Sequence, residues 1–156
     1  MNISEILLKY ETDKNSGSDN NIHGHCYGQI YDEIFSKFDR GSKLKILEIG
    51  VGKGEDLLAY NEYFPNATIT GIDIVDARIN KDKNSSINFI LSYINDINPE
   101  ISFPDMSFDI IIDDGSHKLE DVLFLVKNYL ANMSKNSYMI IEDVSDPKVW
   151  YKDIKY

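Results

Sequence analysis

Cysteine is all but missing from this chain, where Cys26 stands alone. It can form no internal disulfide and has no neighbours at metal-ligand spacing, so an oxidising environment is neither required nor supported. Long apolar runs are missing too: no stretch reaches the ~20 residues that cross a bilayer, and the start, MNISEILLKYE, lacks the basic and apolar segments of a signal peptide. A soluble, cytoplasmic protein with no membrane partner is the expectation. Positive charge is scarce, with 16 Lys and Arg against 26 Asp and Glu, a net charge of -10 and a pI near 4.6. Such a surface repels phosphate backbones, so no nucleic acid partner is expected.

What is present suffices for one packed core. At 156 residues and 42% hydrophobic, the chain is long enough for one well-buried domain and too short for two. Tyr27, Ile30, Tyr31, Ile34, Phe35 and Phe38 recur with the period of an amphipathic helix that ends near Arg40-Gly41. Beyond it, five β-rich runs alternate with helical or loop segments: LKILEI (44–49), ATITGIDI (67–74), INFIL (87–91), FDIIID (108–113) and YMIIED (138–143). One intervening helix carries Leu57, Leu58 and Tyr60 to Phe64 and closes at Pro65-Asn66; another carries Val122, Leu125, Val126 and Tyr129. This alternation predicts an α/β fold whose mostly parallel sheet of about five strands is covered by helices on both faces. The stretches Glu11–His25 and Asp76–Ser86 are polar and read as loops.

The first run stops at Glu48-Ile49 and opens into Gly50, Gly52 and Gly54. Such a turn needs backbone conformations that a Cβ forbids, and its amides can lie against a ligand. The dinucleotide pattern GxGxxG would need Gly or Ala at position 55, where the chain has Glu55 followed by Asp56. Two carboxylates in the first turn of a helix repel a diphosphate, which disfavours a nicotinamide-dependent oxidoreductase. Glu48, Gly50 and Gly52 instead resemble the acid-x-Gly-x-Gly turn of class I S-adenosylmethionine methyltransferases, whose cofactor carries a sulfonium and an α-amino group but no phosphate. Asp73, closing GIDI, sits where a carboxylate can accept both ribose hydroxyls. Ile74 follows it, and Ser92-Tyr93, after the third run, occupy the place where methyltransferases of this class often set an acid to meet the adenine. The alternative is that Glu48 and Asp73 are ordinary strand-end acids and that the glycines only make tight turns.

A second constellation closes the fourth and fifth runs: DDGSH, from Asp113 to His117, and Glu142-Asp143. In a doubly wound sheet ligands lie beyond the carboxyl ends of the strands, so four carboxylates would share one site. That crowding costs energy unless a cation compensates. Hard oxygen donors from separate strand ends suit Mg²⁺, with Asp114 and Asp143 as the better ligands and Asp113 facing the methionine end of the cofactor. His117, three positions after Asp114, is the candidate general base for an acceptor hydroxyl, with Asp114 as its catalytic neighbour. Against this, Asp and Glu are common as caps at strand-to-helix turns, and a helix-start His can serve in hydrogen bonding alone.

Taken together, YETDKN (10–15), HCY (25–27), LEIGVGKGED, GIDI, DDGSH and IIEDV resemble the metal-dependent sugar O-methyltransferases of macrolide biosynthesis, over nearly the whole chain. Cephalosporin hydroxylase-like and rhamnosyl O-methyltransferase-like proteins belong to the same group. The resemblance implies a Rossmann-like class I methyltransferase fold in a single domain, with residues 1–42 as a loop and helix cap and 43–156 as the core. It implies S-adenosylmethionine as cofactor, Mg²⁺ held by Asp114, Glu142 and Asp143, His117 as base, and a small, glycosidic hydroxyl compound as acceptor. It also implies that Thr12-Asp13-Lys14 and the His25/Tyr27 pair close over cofactor and substrate, which makes Asp13 and Tyr27 cofactor contacts; a solvated loop leading into a helix is the other reading.

Two departures stand out. Tyr93 occupies a place where those relatives carry an acid, and the chain stops at Tyr156, soon after the fifth run. Class I methyltransferases continue into a helix and an antiparallel strand pair, so the expected sheet lacks the C-terminal strand 6/7 hairpin. A fragment would account for this; the favoured expectation is a naturally small protein that forms a homodimer, a partner covering the bare strand edge. The competing function is a non-catalytic S-adenosylmethionine-binding or partner-binding module of the same fold.

Overall fold

The computed structural model describes residues 1–15, 25–77, 85–104 and 107–154. Much of the two expected polar loops, at 16–24 and 78–84, lies outside the described residues. Five strands, β1 (Lys45–Ile49), β2 (Thr68–Asp73), β3 (Ile87–Leu91), β4 (Phe108–Asp113) and β5 (Met133–Ile141), form one sheet in the order β3-β2-β1-β4-β5. Every neighbouring pair is parallel. A parallel sheet must be buried on both faces, and the near-continuous apolar runs of β1 and β4 meet that demand.

Among the described residues, six α-helices supply the cover: α1 (Ile3–Lys9), α2 (Gly28–Phe35), α3 (Glu55–Tyr63), α4 (Pro99–Ser102), α5 (Leu119–Tyr129) and α6 (Pro147–Ile154). On one face, Ile6 and Leu7 of α1, Tyr31 and Phe35 of α2, and Leu57 and Tyr60 of α3 pack over Ile46, Ile69, Ile110 and Ile112. On the other, Leu125 and Tyr129 of α5 cover Leu47, Ile49, Ile72 and Ile111. Trp150 of α6 extends that layer against Val122 and Val126. Side chains alternate between the two faces of a strand. Ile46 and Glu48 of β1 and Ile110 and Ile112 of β4 therefore face α1, α2 and α3, while Leu47, Ile49 and Ile111 face α5, as does Phe108 ahead of the irregular register.

Four elements differ from the sequence expectation, the four-residue helix α4 among them. Helix α1 was not expected, because seven residues are too few for a periodic signal and too few to be stable alone. A capping box between Asn2 and Glu5 starts it, and burial of Ile3, Ile6 and Leu7 holds it. Helix α6 likewise rests on one buried anchor, Trp150. Strand β5 starts at Met133 rather than at Tyr138: Phe108 pairs with Met133 and Ile110 with Tyr138 around an irregular register. The polar residues Ser134 to Ser137 lie between these two pairs, and Asn136 among them takes a left-handed φ of 63°.

Strand order reverses between β1 and β4, so the loops leaving them diverge and open a crevice at their carboxyl ends. The two loops also touch. Gly50 has φ 80°, and a Cβ there would stand 2.0 Å from the carbonyl oxygen of Asp114. Gly52, at φ 56°, has open space where its Cβ would be. Gly50→Ala is therefore expected to cost about 3 kcal/mol through the collision, whereas Gly52→Ala should cost about 1–2 kcal/mol for its left-handed backbone alone. Urea unfolding of the two variants measures the difference, and equal losses would contradict the contact.

Candidate active site

Register carries three acids to one place. Ile49 of β1 lies opposite Asp113 of β4, which lies opposite Ile141 of β5. Glu48, Asp114 and Glu142, each one residue away and of even number, turn to the face covered by α1, α2 and α3. Asp56 joins them from the first turn of α3. At their centre is Lys14, on a short 3₁₀ turn (Asp13–Asn15) that follows α1. The Lys14 side chain is 0% exposed, and its Nζ lies 2.7 Å from Asp114 Oδ2, 2.9 Å from Glu142 Oε2, 3.6 Å from Glu48 Oε1 and 3.7 Å from Asp56 Oδ2.

The electrostatics follow from this packing. Burial alone would lower the pKa of Lys14, but Tyr31, Glu48, Asp56 and Glu142 around it hold it well above the ordinary value. Burial raises the carboxyls of Glu48 and Glu142 against the pull of Lys14, and it pushes Asp56 up to about 7. Tyr60 donates to Glu48 Oε1 at 3.1 Å, and Tyr31 donates to Glu142 Oε1. A lysine of the chain itself thus supplies one cation to these crowded acids.

Above this cluster opens a pocket of about 820 Å³. The glycine turn forms one wall, pinned by Asp73: its Oδ2 accepts from the amides of Val51 at 2.7 Å and Gly52 at 2.8 Å, and its Oδ1 from Val75 at 2.9 Å. A carboxylate has about four acceptor positions, so hydroxyls can still be received. Ile74, Val75 and Tyr93 give a partly exposed apolar wall. Asp113 lies in the floor, its pKa pushed up to about 6 by burial against the amide of Gly115.

The opposite wall holds Asp114, His117 and Asp143. His117 Nδ1 is 3.2 Å from Asp143 Oδ2, and its Nε2 is 3.5 Å from Asp114 Oδ1. One donor atom from each of these three residues falls within 4.8 Å of the others, as it does for Asp13, Asp56 and Asp114. His117 and Asp143 have φ of 56° and 49°, and Glu11 in the same pocket has 58°. Non-glycine residues hold this left-handed conformation only where their surroundings impose it. Behind Asp143, Tyr27 donates to Oδ1 at 2.6 Å, and burial followed by that bond pushes the phenol up to about 12.

Among the residues expected to meet a cofactor, Gly50, Gly52, Asp73, Ile74, Tyr93, Asp113 and Asp13 all line the pocket. Glu48, Gly54 and Tyr27 do not. Glu48 lies fully buried beneath the turn, since its even position points it at Tyr60 and Lys14. Gly54 is the N-cap of α3, and Tyr27 reaches Asp143 rather than the pocket. Of the expected metal ligands, Asp114 and Asp143 come together with His117, whereas Glu142 is 6% exposed and bonded to Lys14 and Tyr31. The sequence places Lys14 in the Thr12-Asp13-Lys14 stretch but does not pair it with the strand-end acids; the signal for that pairing is the need of such acids for a cation.

A parallel five-stranded sheet wound on both faces, with a glycine turn and a strand-end acid lining a pocket at the switch point, is the Rossmann-like class I methyltransferase fold. The family described as a methyltransferase domain matches residues 40–155, and the chain belongs to that family. It is 27% identical over 148 residues to an L-olivosyl-oleandolide 3-O-methyltransferase of Streptomyces antibioticus, a match that covers 90% of this chain and 36% of the relative. It is 25% identical over 132 residues to an 8-demethyl-8-alpha-L-rhamnosyl tetracenomycin-C 2'-O-methyltransferase of Streptomyces olivaceus, covering 77% of this chain and 33% of the relative. The chain thus spans about a third of the length of these relatives. Among solved structures, the MycE methyltransferase of mycinamycin biosynthesis, in complex with Mg and SAH, superimposes with a TM-score of 0.79 at 26% identity. That match covers 97% of this chain and 45% of MycE.

Removing one partner of a buried ion pair strands the other charge, at a cost of about 3–5 kcal/mol. Lys14→Met is expected to lose that much in urea unfolding, and adding Glu142→Gln should restore part of it. A Lys14→Met variant as stable as the wild type would show that the acids do not depend on the lysine.

Proposed function

We propose that this chain binds S-adenosylmethionine and takes part in methyl transfer to a hydroxyl of a small glycosidic compound, with help from a divalent ion such as Mg²⁺. One observation carries the reading: a single pocket is walled on one side by the Asp73-pinned glycine turn and on the other by Asp114, His117 and Asp143. The relatives lend it support, since two are named as O-methyltransferases of an olivosyl and a rhamnosyl compound.

Each residue then has a task. Asp73 keeps the turn amides in place and accepts the ribose hydroxyls, while Ile74 and Tyr93 flank the adenine. Asp13 and Asp113 offer carboxylates to the cationic methionine end. His117 removes the proton from the acceptor hydroxyl, the step that turns it into a nucleophile. When bound, the cofactor supplies the methyl group on a positively charged sulfur.

The donor set also fits a hard divalent ion, for Asp114 and Asp143 present carboxylate oxygens close to His117. Such an ion would lower the pKa of the acceptor hydroxyl. Glu142 would join it only by giving up Lys14 and Tyr31.

Calorimetric titration with S-adenosylhomocysteine tests this division of labour. Asp73→Ala is expected to weaken binding by tenfold or more, about 1.4 kcal/mol. His117→Ala should keep the affinity and lower methyl transfer by about 10²–10⁴-fold. Equal loss of binding in both variants would overturn the assignment, and tight binding without turnover of any hydroxylated acceptor would leave a binding module.

A further inference from the structure

Beyond Asp73 the pocket continues past the ends of β2 and β3 to the start of α5, where Ser92, Asn95, Ser116 and Asp121 line it. No acid closes β3 itself, since Ser92-Tyr93 follow Leu91. One arrives from α5 instead: Asp121 Oδ1 accepts from Asn95 Nδ2 at 2.8 Å, and its Oδ2 accepts from Ser116 Oγ. The bond from Ser116, and then the one from Asn95, hold the carboxyl below its usual range, so it stays an anion. The 3₁₀ turn that carries Asn95 (Ile94–Asp96) is anchored on both flanks, for Ile97 is buried with Phe103 and Leu125 in one apolar cluster and Ile94 packs against it.

A carboxylate only accepts, so Asp121 fixes which way the Asn95 carboxamide faces, with its nitrogen toward Asp121 and its oxygen turned away. Among the described residues Asn95 Oδ1 has no partner, and the second N–H of Nδ2 is also unused. An acceptor beside a donor on one amide pairs with adenine, whose 6-amino group donates and whose N7 accepts. Strand order brings the base to this end: with the ribose on Asp73 of β2 and the methionine end toward Asp13 and Asp113, what remains of the ligand extends toward β3. We propose that Asn95, oriented by Asp121, reads the 6-amino edge of the adenine and makes the pocket specific for that base. The assignment rests on the reading of S-adenosylmethionine as cofactor. A 6-oxo base would set one oxygen against another at Asn95 Oδ1 and lose the pair. Asp121 is a positioning residue, acting only through the carboxamide that it holds.

Calorimetric titration with S-adenosylhomocysteine and with S-inosylhomocysteine, in which a 6-oxo group replaces the amine, tests the proposal without turnover. The wild type should bind the adenine ligand about tenfold or more tightly than the inosine one, the discrimination expected of one such pair. Asn95→Ala should bind the two ligands nearly alike. Asp121→Asn keeps Asn95 but can show it either end of an amide, so it should reduce the preference as well. Asn95 is exposed, and both variants should unfold at the wild-type urea concentration. A wild type that binds both ligands equally, or a preference that survives unchanged in either variant, would overturn the proposal. A wild type that binds neither ligand would overturn the functional reading, and the proposal with it.

Discussion

A single ammonium group, Lys14 Nζ, lies beneath the carboxyl ends of β1, β4 and β5, and the site depends on it. Moving a charge out of water is affordable only when paired charges and hydrogen bonds replace the water. Lys14 meets that condition with Asp114 and Glu142 at direct bonding distance and with Glu48 and Asp56 just beyond. The dependence runs both ways, because those acids could not crowd together without it. The N-terminal segment, through Glu11, Thr12 and Asp13, is therefore part of the pocket wall rather than an appendage on the sheet.

Order above the cluster comes from hydrogen bonds that hold costly backbone shapes. Asp73 spends both oxygens on the amides of the glycine turn and of Val75, which keeps Gly50 and Gly52 in their left-handed conformations. Across the pocket, His117 and Asp143 are left-handed without the excuse of being glycine, and the Tyr27 hydroxyl braces Asp143. Strain of this kind persists where the surroundings over-determine it, and here it gathers around one crevice. A rigid turn on one side and a braced acid–histidine pair on the other suit a site that must align two reacting partners.

Much of the fold was legible because parallel, doubly covered strands write themselves as apolar runs. Each of the five strands contains or lies within the run expected of it, apart from the polar start of β5, where pairing with β4 overrides local composition. Helices α1 and α6 escaped notice because short segments owe their stability to packing, which a periodic pattern does not record. In the site, the glycine turn, Asp73, Asp113, Asp114, His117 and Asp143 all come to one pocket. Glu48 and Glu142 do not reach it. Their parity along β1 and β5 was visible in the sequence, but which face was closed by α1, α2 and α3 was not.

By itself, the sequence determined the α/β alternation, the glycine turn that a Cβ would block, and the acids that end the strands, since each follows from local spacing and steric limits. Tertiary structure alone decided which cation answers those acids. Lys14 is 100 residues from Asp114 and 128 from Glu142. No local pattern links residues so far apart; only the docking of α1 and α2 against one face of the sheet brings the ammonium under the strand ends. The same docking buries Glu142 beside Lys14 and Tyr31 and sets the Tyr27 hydroxyl on Asp143.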